Sequence, residues 1–178
     1  MKKGAECVKI WRIGGPKVDP HPTTPVSADP PKAIYHTRVD EKGRLKLPRD
    51  FESYLRSFEE QTFFVTSLDE RVVRIYPMPT WRENASFFEN CQEDPDSVEE
   101  VAFATRIYGA ESPLDKEGRL LIPPQLRRKL SIENQPVWVG YFKGAVEVYG
   151  EAVYQELMQR ASVNLKDKVK VLRKLGLK

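Results

Sequence analysis

The sequence predicts an α+β fold, rich in β-strands, that is built from two copies of one small unit. The first observation is an internal repeat, because residues 39–48 read VDEKGRLKLP and residues 114–123 read LDKEGRLLIP. Four identities recur 75 positions apart, namely Asp40, Gly43, Arg44 and Pro48 as Asp115, Gly118, Arg119 and Pro123. Short alternating apolar segments around each motif and a short helical segment after each proline complete the pattern. Such a repeat indicates a duplicated supersecondary unit, in which the function should be sought.

The first unit covers about residues 32–83. Residues 34–39 predict a strand, 40–43 a turn and 44–47 the returning strand of a hairpin. Asp40 at the first turn position accepts hydrogen bonds from local backbone amides, and Gly43 at the fourth suits the left-handed conformation. After Pro48 the pattern predicts a helix over 49–58, strands over 62–66 and 72–76, and a second helix that opens at residues 80–81.

The second unit, residues 111–160, repeats this order. It predicts a hairpin over 114–122, a helix over 124–130, strands over 137–141 and 145–149, and a helix over 151–159. Residues 84–110 form a linker that contains a helix. Ser97 and Glu100 have the spacing of a capping box at its start, and Gly109 provides its stop.

The two ends of the chain differ from these units in composition. Residues 1–31 contain six prolines between positions 16 and 31, which predicts a flexible extension. Residues 161–178 predict a basic amphipathic tail that docks onto a neighbouring subunit or adds DNA affinity, or is simply a solvated helix. Because each unit has only about 50 residues, too few for a good core, we expect the units to pack as a pseudo-two-fold pair.

Composition excludes several classes of protein. No segment approaches the roughly 20 apolar residues of a membrane span, so we expect no membrane partner and a cytoplasmic location. The two cysteines, Cys7 and Cys91, are far apart, and His36 has no second histidine or cysteine near it in the sequence. We therefore expect no metal, no cofactor and no small-molecule substrate. No catalytic constellation repeats or converges, so no catalytic residue is assigned and an enzyme is the last choice.

The first motif carries chemistry suited to nucleic acid. Alternation places Arg44 and Lys46 on one face of the returning strand and two leucines on the other. Residues 38–49 hold five basic and two acidic side chains. A two-stranded ribbon can enter the major groove, where a guanidinium binds phosphate or the edge of guanine. We assign Arg44 to base reading or a critical phosphate clamp, and Arg38, Lys42 and Lys46 to backbone contacts.

The second motif has less net positive charge than the first. Lys116 and Arg119 are offset by Asp115 and Glu117, so the local charge is zero. We therefore expect the first hairpin to lead in DNA binding, and Arg119 is left open between DNA contact and a structural role. Asp40 and Asp115, with Gly43 and Gly118, are assigned to structuring the turns, because a carboxylate repels phosphate.

Other cations are given structural roles. Arg71 and Arg74 of the second hairpin are expected to be solvated strand residues. Residues 127–129 lie near the end of a short helix, where cations suit the helix dipole.

The motif Asp-x-x-Gly-Arg-apolar-x-apolar-Pro, followed by a helix and a hairpin, resembles the swapped-hairpin fold of AbrB and SpoVT proteins. Two copies, with residues 65–69 reading VTSLD, 75–77 reading IYP, Trp81 and 108–110 reading YGA, resemble the MraZ family over about residues 33–160. The resemblance implies two swapped-hairpin units packed as a β-barrel with short peripheral helices. Asp40 with Arg44 and Asp115 with Arg119 match the family motif. The chain departs from it by about 30 extra N-terminal residues.

The resemblance also implies a function. MraZ proteins are bacterial transcriptional regulators of the division and cell-wall gene cluster, which form rings and bind direct promoter repeats. Accordingly we expect a nucleoid-associated repressor whose partners are double-stranded DNA and further copies of itself. The alternative is an antitoxin-like or scaffold protein-interaction module without specific DNA binding. The basic C-terminal tail argues against a toxin-binding antitoxin, for which an acidic, disordered tail is expected.

Overall fold

The computed structural model describes residues 29–178. The Pro-rich extension predicted for residues 1–31 therefore lies outside the described residues, except for its last three positions. No helix in the described part of the chain is both long and apolar enough to cross a bilayer.

Eight strands and six helices follow one another in the described residues. The strands are β1 (Tyr35–Arg38), β2 (Arg44–Lys46), β3 (Thr62–Thr66), β4 (Val73–Pro77), β5 (Ala110–Pro113), β6 (Arg119–Leu121), β7 (Pro136–Phe142) and β8 (Ala145–Gly150). The helices are α1 (Arg49–Arg56), α2 (Met78–Asn90), α3 (Pro95–Tyr108), α4 (Pro124–Lys129), α5 (Glu151–Ser162) and α6 (Leu165–Lys174). The prediction of a β-rich α+β protein is confirmed.

The strands form two antiparallel sheets. Six of them lie in the order β1-β7-β8-β4-β3-β5, and β2 pairs with β6 in a separate ribbon. β1 pairs with β7 of the second repeat, and β5 pairs with β3 of the first, so the repeats exchange their first strands. The expected barrel is not closed in the described residues, because β1 and β5 end the six-stranded sheet and the chain leaves it to build the ribbon.

A single apolar core fills the space between the sheet, the ribbon and helices α1 and α4. Leu45 and Leu120 of the ribbon, Phe51 of α1, Phe63 of β3 and Leu126 of α4 are all fully buried. Burying a side chain of this size contributes about 1.5–3 kcal/mol. The core therefore holds the ribbon to the sheet although each ribbon strand has only three residues.

Each motif forms the predicted turn, but no hairpin ladder joins the strands on its two sides. After Gly43 the chain pairs with β6. It is joined to the segment before the turn by the bridge between Val39 and Leu45 and by the Thr37 hydroxyl, which donates to the Lys46 carbonyl at 2.7 Å. In the second repeat β5 ends at Pro113, so the predicted strand start at residue 114 is wrong; Leu114 is buried just beyond the strand. A long-range partner thus replaces the neighbouring strand.

Helix α3 begins differently from the prediction. Asp94, not Ser97, is its N-cap, and the Asp94 carboxylate accepts a hydrogen bond from the Ser97 amide at 3.3 Å. Pro95 occupies the first turn, where its missing N–H costs nothing. The helix ends before Gly109, but this glycine has φ of −87°. Glycine is needed here for its small size, because a Cβ would lie 2.3 Å from the Thr105 carbonyl oxygen.

Stacked aromatic pairs join helices to strands in both repeats. Trp81 of α2 stacks on Phe64 of β3 with ring centroids 3.9 Å apart. Tyr154 of α5 stacks on Trp138 of β7 at 4.1 Å. The two pairs hold α2 and α5 on equivalent strands of the two repeats.

Candidate nucleic-acid interface

The two motifs meet in one ribbon. In its register Arg44 lies opposite Leu121, Leu45 opposite Leu120, and Lys46 opposite Arg119. Directly opposed residues of an antiparallel pair share a face. The inner face is therefore Leu45 and Leu120, both fully buried. The outer face, here called the ribbon face, consists of Arg44, Lys46, Arg119 and Leu121.

The two turns are hydrogen-bonded to each other's strands. The Leu47 amide donates to the Gly118 carbonyl at 3.0 Å, and the Ile122 amide donates to the Gly43 carbonyl at 3.0 Å. This reciprocal pair extends the ribbon at both ends. The turns therefore lie at the two ends of the ribbon, and each carries an exposed lysine, Lys42 or Lys116.

Asp40 organises the first turn. Its Oδ1 accepts hydrogen bonds from the amides of Lys42 at 2.9 Å and Arg44 at 2.8 Å. Its Oδ2 accepts from Nε of Arg44 at 2.7 Å and lies 2.7 Å from Nη2. One carboxylate thus fixes both the turn backbone and the arginine that follows it.

Asp115 organises the second turn in the same way. Its Oδ1 accepts from the amides of Glu117 at 2.9 Å and Arg119 at 2.8 Å. Its Oδ2 accepts from Nε of Arg119 at 2.7 Å, and Nη2 of Arg119 donates to Glu117 at 2.9 Å. Arg119 therefore has two carboxylate partners where Arg44 has one.

These contacts shift the acidity of the carboxyls. Partial burial raises the pKa of Asp40, but the Arg44 amide, the Arg44 guanidinium and the Lys42 amide lower it by more, so the net pKa is below its ordinary value. The pKa of Asp115 is lowered for the same reasons, with the Arg119 guanidinium as the leading favourable partner. The hydrogen bond to Asp115 in turn raises the pKa of Arg119. Both carboxyl groups are therefore ionised at neutral pH.

Gly43 and Gly118 provide the conformation and the space that the turns require. Their φ angles are +79° and +71°, in the left-handed region that favours glycine. A Cβ on Gly43 would lie 2.3 Å from Nη1 of Arg127, and one on Gly118 would lie 2.1 Å from the Glu52 carboxylate. Helices α4 and α1 thus each place a charged side chain against the turn of the other repeat.

The remaining predicted cations are held in different ways. Lys46 lies 3.2 Å from Glu52 and also donates to the Glu117 carbonyl. Arg38 donates to the Asn134 carbonyl at 3.0 Å and to its side chain at 2.9 Å, so its partner lies just before β7 and not in the ribbon. Lys42 and Lys116 are exposed and make no ion pair with any described residue.

Arg44, which the sequence analysis assigned to DNA contact, is held against its own turn. The Arg44 side chain is one-third exposed and folds back onto Asp40. The Asp-x-x-x-Arg spacing allows this pairing across the turn. The ribbon also involves residues that sequence reasoning did not select. Arg56 donates to the carbonyls of Asp115 at 3.0 Å and Lys116 at 3.2 Å while pairing with Glu52. The four-residue spacing of Glu52 and Arg56 on one helix indicated their pair, but not its distant carbonyl acceptors.

The structure also corrects the prediction made for Arg74. It was expected to be solvated, yet its side chain is only 17% exposed and lies opposite Glu147, whose side chain is 8% exposed. Nε of Arg74 donates to Glu147 at 3.0 Å and Nη2 to Asp69 at 2.8 Å. Tyr149 also donates to Glu147, and burial, with that carboxylate, raises the pKa of Tyr149. The cluster joins β4 to β8 and is a structural ion pair between the repeats.

No group of three or more histidine, cysteine, aspartate or glutamate side chains within residues 29–178 could hold a metal ion. The candidate site is therefore the ribbon face with its two turns, where cationic side chains of both motifs come together.

Comparison with known proteins agrees with the motifs. The family model described as "MraZ protein, putative antitoxin-like" matches residues 109–174. The transcriptional regulator MraZ of Koribacter versatilis (strain Ellin345) is 30% identical over 122 residues, which are 68% of this chain and 83% of that relative. This chain belongs to the MraZ family.

Two further MraZ relatives match larger shares of this chain. The transcriptional regulator MraZ of Geotalea uraniireducens (strain Rf4) is 30% identical over 156 residues, covering 80% of this chain and 97% of that protein. The MraZ protein of Herpetosiphon aurantiacus is 31% identical over 124 residues, covering 70% of this chain and 83% of that protein. The family resemblance that the motifs indicated is therefore confirmed.

Proposed function

We propose that this chain is a sequence-specific DNA-binding transcriptional regulator that binds DNA through the ribbon face and its two turns. The observation that carries the proposal is the pairing of β2 with β6, which gathers Arg44, Lys46 and Arg119 on one outer face. The relatives are named transcriptional regulator MraZ, which supports the same role. As in the family, the target is a promoter of the division and cell-wall gene cluster, on which the protein acts as a nucleoid-associated repressor.

The aspartates position the arginines for DNA. Asp40 binds Nε and Nη2 of Arg44, and Nη1 has no partner among the described residues. Arg119 is held in the same way by Asp115 and Glu117. Each guanidinium keeps a free edge that can donate to a phosphate oxygen or to guanine. Because the side chain is already ordered, less conformational entropy is lost on binding.

The lysines supply affinity rather than sequence reading. Lys42 and Lys116 are exposed at the turns and can follow the phosphate backbone. Lys46 serves the same purpose when DNA competes with Glu52 for its ammonium group. Arg38 takes part only if it leaves Asn134, so we give it the smallest share of the predicted backbone contacts. Asp40, Gly43, Asp115 and Gly118 act by holding the turns.

The two motifs contribute unequally in this proposal. Arg119 faces both Asp115 and Glu117, whereas Arg44 faces Asp40 alone. More negative charge near the second motif weakens its attraction for phosphate. The first motif therefore leads in DNA binding.

Assembly into a homo-oligomeric ring explains how the protein binds a polyanion. Residues 32–160 hold 18 basic and 22 acidic side chains, so one copy offers only a local positive patch. Several ribbons on one ring, placed on direct repeats, add their affinities as avidity. We propose residues 32–83 and 111–160 as the two swapped-hairpin units of each copy, with residues 84–110 and 161–178 outside them.

The test is binding of the purified full chain to the DNA upstream of its own gene and to a scrambled duplex, over a series of salt concentrations. We expect tighter binding to the upstream duplex, with affinity that falls steeply as salt rises. Arg44→Ala should reduce the preference for the upstream duplex. Equal binding to both duplexes, or no binding, would reject the regulator and favour a protein-interaction module.

A further inference from the structure

Two helical elements outside the ribbon carry opposite charges. Residues 78–108, which contain α2 and α3, hold seven acidic and two basic side chains. Residues 165–178, which contain α6, hold six basic and one acidic side chain. Both elements also expose large apolar side chains, which is unusual for helical surfaces that remain in water.

The acidic element has a defined outer surface on α3. Asp96, Glu99, Glu100 and Phe103 line one shallow depression, and Ile107 follows Phe103 by one helical turn. Phe103 is 59% exposed and Ile107 is 42% exposed. This surface, here called the α3 face, is acidic towards the start of the helix and apolar towards its end.

The basic element has a matching stripe on α6. Leu165, Val169, Leu172 and Leu175 recur at spacings of four and three residues and form one side of the helix, here called the α6 stripe. Leu172 is 49% exposed and Leu175 is 79% exposed, and within α6 only Val169 is partly buried. The opposite flank carries Lys166, Lys170, Arg173 and Lys174.

We propose that the α6 stripe of one copy packs on the α3 face of a second copy. The inference rests on the proposed homo-oligomer and names the two surfaces that join its subunits. The contact removes exposed leucines and Phe103 from water, which favours association. The lysines that flank the stripe then approach Glu99 and Glu100, and this complementary charge selects the partner surface.

The contact is heterologous, because the two surfaces are different parts of one chain. Each copy then offers α6 to one neighbour and its α3 face to another. Such a head-to-tail contact generates a closed ring when its rotation closes. The ribbon face contains neither surface, so this contact does not use the residues proposed to bind DNA.

A charge-exchange experiment tests the interface in the absence of DNA. One variant carries Glu99→Lys with Glu100→Lys, and the other carries Lys166→Glu with Lys170→Glu. Sedimentation equilibrium should show that each variant alone has a self-association constant weakened about tenfold or more, because like charges oppose each other. An equimolar mixture should recover large assemblies, because each reversed surface then meets a complementary one.

Controls separate the interface from general effects of charge and folding. Glu41→Lys with Glu59→Lys makes the same change of charge at exposed residues outside both surfaces and should assemble like the wild type. Phe103→Ser and Leu172→Ser should each weaken assembly without a charge change. Circular dichroism checks that every variant keeps its secondary structure.

Three results would overturn the inference. A wild-type chain that stays monomeric, or reversal variants that assemble normally, would show that these surfaces do not join subunits. A mixture that fails to recover assemblies would mean that α6 packs within its own chain. A protein that assembles but does not bind its upstream DNA would instead reject the proposed function and leave the interface standing.

Discussion

At the scale of single residues, each motif combines three tasks in one short turn. Asp40 accepts two backbone amides and holds the Arg44 guanidinium, while Gly43 provides the left-handed conformation. Asp115, Arg119 and Gly118 repeat the arrangement. The geometry explains why the same residue types occur at the same spacing twice.

Replacing a motif glycine should destabilise the protein. Gly43→Ala or Gly118→Ala forces a Cβ into a left-handed residue, which costs about 1–2 kcal/mol. At Gly118 the Cβ also displaces the Glu52 carboxylate from its place beside Lys46 and Arg56. Urea unfolding measures the loss. A change below about 0.5 kcal/mol in both variants would contradict the strain argument, since substitutions without such strain usually stay within that range.

The motif carboxylates should also make stability depend on pH. The folded-state pKa values of Asp40 and Asp115 lie below the ordinary 3.8. The stability they contribute is therefore fully present above that value and is lost as pH falls through the lowered folded-state pKa. Urea unfolding between pH 6 and pH 2.5 should show a steeper loss below about pH 4 for the wild type than for Asp40→Asn with Asp115→Asn. Parallel curves would contradict the lowered pKa values.

Residue-scale prediction from sequence succeeded where the interaction is local. The glycine at the fourth turn position indicated a left-handed residue, and both glycines adopt it. It failed for Arg74, because alternation along β4 places this residue on the outer face but does not show what lies beside it. Glu147 and Tyr149, more than 70 residues away, turn that position into a buried ion pair.

At the scale of elements, the pairing of β2 with β6 in the ribbon could not be predicted from local sequence patterns. The pattern of residues 44–47 correctly separated the cations from the leucines, since Leu45 and Leu47 are buried while Lys46 is exposed. It could not identify the partner strand, which starts 75 residues after β2 does. In contrast, β3 follows the predicted residues 62–66 because a continuous β-branched and aromatic run marks it.

The two motifs should differ in their effect on DNA binding. Arg44→Ala with Lys46→Ala should weaken binding to the upstream duplex far more than Lys116→Ala with Arg119→Ala. The reason is that Asp115 and Glu117 already oppose the second pair. A gel-shift titration compares the two double variants. Equal losses would contradict the asymmetry and make the ribbon act as one symmetric surface.

The ion pair between β4 and β8 should be costly to break from one side. Arg74→Met leaves the buried Glu147 without its cation and should destabilise the protein by about 3–5 kcal/mol. Adding Glu147→Leu removes the stranded charge and should restore most of the loss. Urea unfolding of the single and double variants measures the coupling. Losses that simply add would show that the two side chains do not depend on each other.

At the scale of the whole molecule, two repeats exchange strands and share one core, and their motifs combine into one face. The repeat alone predicted that the units pack together, because neither encloses a core by itself. It did not predict an open six-stranded sheet with a separate ribbon, since that arrangement depends on which strands meet. The ribbon places both motifs together, and this gives one copy a single cationic face, the one proposed to bind DNA, instead of two.

The central claim is that the ribbon face binds promoter DNA, and a matched pair of double variants tests it most directly. One variant carries Arg44→Ala with Arg119→Ala. The control carries Arg71→Ala with Arg82→Ala, which also removes two ion-paired arginines but lies off the ribbon. Dissociation constants for the upstream duplex, measured at one salt concentration, should rise about 100-fold or more for the ribbon variant and stay near the wild-type value for the control. An equal loss in both variants, or a ribbon variant that binds like the wild type, would contradict the account.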